Sequence, residues 1–266
     1  MRGQTDRVPP APVPSAARRV RGEWAKLATI GPRPEPFDAT MVADLPEPAR
    51  RWLTHAIAAG TPLWPSVVLT MRGEIRLGSW RPFTATQVLA PPRGFIWAAT
   101  ARFLGLRVTG FDRYSSGSGQ MSWRLGGLVP VMRATGADVT RSAAGRLAGE
   151  MALAPTTFRG ATWQLGAGSD RAVATRQIDG QAESAEFSVA ADGRLHGVLM
   201  QRWGNPTGEP FGRYPFGVTV EAESTFAGVT IGSRLRAGWW WGTDRQAEGE
   251  FFRATITGAV FPQPTA

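Results

Sequence analysis

The stretch VVLTMRGEIRL, residues 67–77, decides the fold. Its odd positions are Val67, Leu69, Met71, Gly73, Ile75 and Leu77, whereas Thr70, Arg72, Glu74 and Arg76 hold even ones. Successive side chains of an extended chain point to opposite faces, so a period of two marks a long strand with one dry and one wet face. Upstream the period is that of a helix. Leu45, Ala49, Trp52, Leu53, Ala56 and Ile57 form one apolar stripe, with Asp44 as the expected N-cap, Pro46 in the first turn and Glu47 completing a capping box. Gly60-Thr61-Pro62 ends that helix, and His55, off the stripe beside Arg51, reads as solvated.

Downstream the strand signal repeats. Residues 83–90, 94–102, 106–114, 119–125, 161–165, 171–178, 183–190, 194–203, 216–225, 229–241 and 250–260 are predicted strands. Asp179-Gly180 and Asp192-Gly193 separate alternating runs and tolerate the positive φ of hairpin turns, so the sheet is mainly antiparallel. One helix, 138–154, interrupts it, with Val139, Ala143, Leu147, Met151 and Ala154 on one face and Pro155 as its stop. Arg146 and Glu150 are four apart on this helix, a spacing that supports an ion pair and also sets a carboxylate beside an apolar stripe.

Several strands are apolar on both faces. Phe95, Trp97, Ala99 and Ala101 alternate with Ile96, Ala98 and Thr100; Leu195, Leu199 and Trp203 alternate with Val198 and Met200; and Trp239-Trp240-Trp241 must send rings both ways. A two-layer antiparallel domain shows water one face of each strand, so these strands need cover on both. With two to four helices available, the expected architecture is mainly β: a strongly curved antiparallel half-barrel whose concave side holds apolar volume under the helices. Eleven tryptophans serve a packed core or a lined pocket equally well.

The segments LPEPARRWL (45–53), GTPLWPSVVLTMRGEIRLGSWRPFTATQ (60–87), PPRGFIWAA (91–99), DRYSSGSGQMSWRLGGLVPV (112–131) and RWGNP (202–206) resemble an uncharacterised bacterial family frequent in actinomycetes. That resemblance spans roughly residues 40–262 and implies no activity. In the order of its elements, ending in the hairpin Ala191–Leu195, the chain is also similar to the half-barrel of periplasmic lipoprotein carriers, which hold acyl chains in an aromatic-rich sheet. Fold analogy implies no function by itself.

Composition narrows the chemistry. The 266 residues contain no cysteine and two histidines, His55 and His196, which excludes thiolate metal sites, cysteine nucleophiles and a histidine metal cluster. Neither a metal nor a cofactor is expected. The formal charge of +9 is unevenly spread. Residues 1–33 hold seven basic and two acidic groups, leaving 23 and 19 over the rest, an ordinary surface rather than a nucleic-acid platform. The Pro-rich start and this charge predict a flexible basic arm over 1–33, with a short helix at 15–29, followed by one domain over 34–266. The helix either docks through Trp24 or lies on an anionic membrane. The N-terminus has no apolar core of a secretory signal and no run of about 18 apolar residues occurs, so a cytoplasmic location is expected. Oligomeric state is unreadable.

Gly117-Ser118-Gly119 and Gly126-Gly127 lack the strand–loop–helix context of a nucleotide site, and neither G-x-S-x-G nor H-E-x-x-H occurs. What remains is a set of polar residues in apolar surroundings: Gln87, Asp112, Tyr114, Arg124, Glu150, Arg202, Tyr214 and Glu221. Buried polar groups need partners or a ligand. The leading expectation is a binding site for a hydrophobic or amphipathic small molecule, walled by Phe95, Trp97, Met121, Leu125, Met200, Trp203 and Trp239, with Arg124, Arg202 or Asp112 at its polar end. Two alternatives stay open. One is an enzyme performing acid–base isomerisation, cyclisation or hydrolysis with Asp112 or Glu150 as base and Tyr114 or His196 as acid; the other is a membrane-peripheral protein held by residues 15–29.

Overall fold

The computed structural model describes residues 12–29, 34–103, 105–206 and 208–262. Residues 1–11 and 30–33 of the expected arm, and 263–266 of the expected domain, lie outside them. Thirteen strands form one antiparallel sheet. The first six, β1 (Val67–Leu77), β2 (Ser79–Ala90), β3 (Gly94–Phe103), β4 (Leu106–Ser115), β5 (Ser118–Leu125) and β6 (Val129–Ala134), run outward from the middle as a meander. The other seven return from the far edge: β7 (Thr162–Leu165), β8 (Arg171–Ile178), β9 (Gln181–Val189), β10 (Leu195–Gly204), β11 (Gly212–Phe226), β12 (Val229–Trp239) and β13 (Glu250–Val260). Pairing of β13 with β1 joins the halves, and β6 and β7 remain unpaired edges, so the sheet does not close.

The helices are α1 (Arg21–Ala28), α2 (Glu47–Ala56), α3 (Ala137–Gly149) and the single turn α4 (Gln246–Gly249). Helix α3 makes the crossover from β6 to β7, and it measures the curvature of the sheet. It packs against both β5 and β10, which stand eight strands apart in the sheet order. In a flat sheet that separation is about 38 Å at ~4.8 Å per strand, several times the width of a helix. The sheet must therefore wrap around α3, as the two-faced strands predict.

The two faces acquire different covers. Phe95, Trp97 and Ala99 point into the concave core with Trp52, Leu53, Leu147 and Phe187. Ile96 and Ala98 belong to a second, separate core on the convex side, with Val68, Val88 and Phe111, closed by Ala17, Val20, Trp24 and Leu27. Residues 15–28, a 3₁₀ turn running into α1, thus dock on the sheet. Their apolar side is buried there with Trp24 as the anchor, while Arg18, Arg19 and Arg21 remain exposed.

Local differences have local causes. Helix α2 starts at Glu47 with Pro46 as its N-cap and no side-chain cap, so Asp44 does not cap it. Helix α3 ends at Gly149 and tightens into a 3₁₀ turn over Glu150–Leu153, short of the predicted 154. Strand β6 was not predicted. The tryptophan run does not continue β12 to 241: the strand ends at Trp239, and Trp240 turns through a left-handed conformation at φ 58°. That turn delivers Trp241 onto Gly217, where a Cβ would stand 2.3 Å from the Trp241 Cδ1.

Candidate functional site

The concave interior is only partly filled. Helix α2 and the 3₁₀ turns around Phe158 occupy one region, where Trp52, Trp163 and Phe187 pack as tilted rings at centroid distances of 4.9–6.0 Å. Between α3 and the middle of the sheet a cavity of about 340 Å³ remains, within the range of small-molecule sites. Register builds its walls. Pairing aligns Gln87, Trp97, Asp112 and Met121 in one row across β2 to β5, and Met200, Phe216 and Trp239 in another across β10 to β12. All seven line the cavity, with Met71 and Ile75 of β1, Phe252 of β13 and the α3 face bearing Ser142 and Arg146.

The polar groups concentrate beneath α3. Arg146 Nε donates to Glu150 Oε1 at 2.7 Å, and its Nη1 lies 3.5 Å from Asp112 Oδ2. Gln87 Nε2 donates to the other oxygen of Glu150 at 2.6 Å, and Trp123 Nε1 to Asp112 Oδ1 at 2.9 Å. The Arg146 guanidinium rides over Phe95 at 4.5 Å and Trp97 at 5.6 Å, a geometry favoured by the ring quadrupole. Burial raises the pKa of the Asp112 carboxyl, with Arg146 and Trp123 opposing it.

Arg202 stands apart from this network. Its Nε donates to the Ser142 carbonyl at 3.2 Å and its Nη2 lies 3.4 Å from the Ser142 hydroxyl. Phe216 and Trp239 stack on its guanidinium at 4.7 and 5.2 Å. Burial, then the neighbouring Arg146 charge, lowers its pKa to about 10, while Glu150, Asp112 and Glu183 act in the other direction without touching it. Glu183, the nearest buried carboxylate on β9, is taken by Arg213 through two 3.0 Å bonds.

Of the residues singled out from the sequence, Trp97, Met121, Met200, Arg202, Trp239, Asp112 and Glu150 line the cavity. Phe95, Leu125, Arg124, Trp203 and Tyr114 do not. Phe95 is buried beneath Arg146, Leu125 pairs with Val129 at the edge of the sheet, and Arg124 faces the convex side and donates to the Leu128 carbonyl. Trp203 packs outside the cavity against α3, donating to Asp138 with Arg141 over its ring. Tyr114 donates to Asp179 in the β8–β9 hairpin, and burial followed by that carboxylate raises the phenol pKa. Its hydroxyl is thus turned to Asp179 rather than to Asp112, and His196 is exposed. Tyr214 donates to the Pro210 carbonyl and Glu221 pairs with Arg234, both away from the cavity. Phe216, Val218 and Val220 were missed, although their alternation within a predicted strand marked them.

Among the described residues no cluster of three histidine and carboxylate side chains is placed to hold a metal, and no helix is long and apolar enough to cross a membrane. No curated protein matches the sequence. Three solved structures are similar to it at 9% identity. A DUF1329 family protein from Desulfovibrio piger has a TM-score of 0.44, over 76% of this chain and 88% of that one. A candidate outer membrane lipoprotein-sorting protein domain from Vibrio parahaemolyticus has 0.46, over 86% and 95%. A LolA superfamily protein from Nitrosomonas europaea has 0.41, over 75% and 86%. A family model matches residues 35–251, almost the whole sheet and the helices beneath it, and by that match the chain belongs to the family of unknown function DUF6544.

Proposed function

We propose that this protein binds an amphipathic small molecule with its apolar body between the two rows of cavity side chains and its anionic end on Arg202. The observation that carries the reading is Arg202 itself. A desolvated cation normally faces a carboxylate. This one faces a serine, two aromatic rings and open cavity, and every carboxylate nearby is engaged with Arg146 or Arg213. A ligand carboxylate or phosphate supplies the missing charge, and the fork of the guanidinium suits either.

The same geometry speaks for binding over acid–base catalysis. Asp112 and Glu150 share Arg146, while of the two proposed acids Tyr114 donates to Asp179 and His196 is exposed. A dansyl-labelled undecanoic acid and its uncharged methyl ester serve as probes. The acid should bind the purified protein with enhanced fluorescence, and Arg202→Met should weaken the acid at least tenfold while leaving the ester within about twofold, since one charge-assisted pair is worth about 1.5–3 kcal/mol. Lack of binding by both probes, or equal loss of both in the variant, overturns the reading.

A further inference from the structure

Among the described residues, six of the ten large apolar side chains that stand exposed lie on the hairpins of the β1–β6 half, toward one end of it. Leu77 lies at the β1–β2 turn, Leu106 at the β3–β4 turn, and Leu128, Val129, Val131 and Met132 along the β5–β6 hairpin. The pairings Leu77↔Ser79, Phe103↔Leu106 and Leu125↔Val129 put these three turns in one row at the same end of the β1–β6 half. Leu128 is 79% exposed, far beyond what an incidental surface leucine requires.

Two further observations define what covers this end. Ile75, two residues before Leu77, and its β13 partner Phe252 line the cavity and are reached by solvent, so the cavity borders this row of turns at the β1–β2 hairpin. Arginines flank the turns. Arg102 and Arg107 at the β3–β4 turn and Arg133 on β6 are exposed and form no ion pair among the described residues, and Arg107 joins Arg18, Arg19 and Arg124 around a shallow depression on the convex side. Between residues 99 and 137 the single acidic residue is Asp112, which faces the interior.

From this we infer that the β5–β6 hairpin and the turns beside it dock on an anionic phospholipid surface, bringing the cavity against the bilayer. The apolar tips enter the headgroup boundary and the arginines meet lipid phosphates, the pairing that holds peripheral proteins to anionic leaflets. A second copy of the chain is a poorer occupant, because an isologous contact through this end would oppose one arginine set to another.

The test is flotation of the full chain with vesicles of pure phosphatidylcholine or of phosphatidylcholine with 30% phosphatidylglycerol, at low and high salt. The expected result is binding to anionic vesicles that falls at least tenfold on raising salt from 0.05 to 0.5 M. Leu128→Glu with Val131→Glu should reduce binding at least tenfold, as should Arg102→Glu with Arg107→Glu and Arg133→Glu. Leu165→Glu, an exposed leucine on edge strand β7, should change nothing. Absence of binding at low salt, full binding by the hairpin variant, or equal loss in the β7 control overturns the proposal, and so does hairpin-dependent dimerisation without vesicle binding. The dansyl acid reports the cavity separately. Vesicle binding without probe binding defeats the cavity reading and leaves this one standing, and the converse defeats this one alone.

Discussion

Trp24 is the most direct test of the two-core architecture. Its indole is 1% exposed in the convex cluster and closes it over Val88, Ile96 and Phe111. Truncation to alanine removes a buried ring from a site whose other wall is a rigid sheet, so the cavity left behind collapses little; such changes cost about 3–5 kcal/mol. For a chain of 266 residues, a urea slope of about 3 kcal/mol per M turns this into a midpoint lowered by about 1 M or more. Trp24→Phe provides the internal control. The Trp24 Nε1 is buried without a hydrogen-bond partner among the described residues, so phenylalanine loses some volume but also discards an unsatisfied donor, and its cost should stay below about 1.5 kcal/mol, or ~0.5 M. Circular dichroism during urea titration reads both midpoints, and binding of the dansyl acid to each folded variant should match the wild type, since the convex core does not touch the cavity. A Trp24→Ala midpoint within about 0.3 M of wild type, a shift of only about 1 kcal/mol at that slope, or equal losses for alanine and phenylalanine, would refute the assignment of residues 15–28 as the structural cover of that face.

Other perturbations probe the interior. The Asp112 pKa is raised above its ordinary 3.8, so the folded state holds this proton more tightly than the unfolded chain, and the stability this contributes is lost as pH rises from 3.8 through the raised value. Asp112→Asn avoids that loss: its melting temperature should gain on wild type over that rise and show no such gain at or below pH 3.8, and a constant difference across the titration would contradict a buried, reluctantly ionised carboxyl. In the Glu183–Arg213 pair the carboxylate is 2% exposed and the guanidinium 35%. Arg213→Ala, which strands the buried charge, should therefore lower the urea midpoint more than Glu183→Ala, which leaves a cation with access to water; the reverse order would show that Arg213 is the desolvated member. Gly119 sits under α3, where a Cβ would come within 2.6 Å of the Thr140 Cα. Backbone cannot give way as a flexible side chain does, so Gly119→Ala should destabilise by about 1–3 kcal/mol in the same titration, and a neutral result would mean that the helix rides higher on β5.

The parts of the fold legible in the sequence are those that depend on the period of one segment. Alternation from Val67 to Leu77 and the stripe through Trp52 need no knowledge of the rest of the chain. Strand β6 fails that test: it is six residues long, holds Pro130 and is exposed along nearly its whole length. Only its pairing with β5 makes it a strand. Asp112 and Tyr114 share a strand face, which made them natural partners on paper, yet the β8–β9 hairpin arrives beside Tyr114 and claims it through Asp179. No spacing within β4 encodes that arrival. The tryptophans show the same limit from the other side. Trp24 seals the convex core, Trp52 and Trp163 pack with α2, Trp240 and Trp241 close a turn, and just Trp97 and Trp239 among the eleven line the cavity. Ring count was therefore no guide to the pocket. What foretold the cavity was the mismatch between strands apolar on both faces and few helices to cover them. The N-terminal segment answers that mismatch on the convex side; on the concave side α2 fills one region and α3 spans another, and the space neither occupies is where Arg202 is left facing no carboxylate.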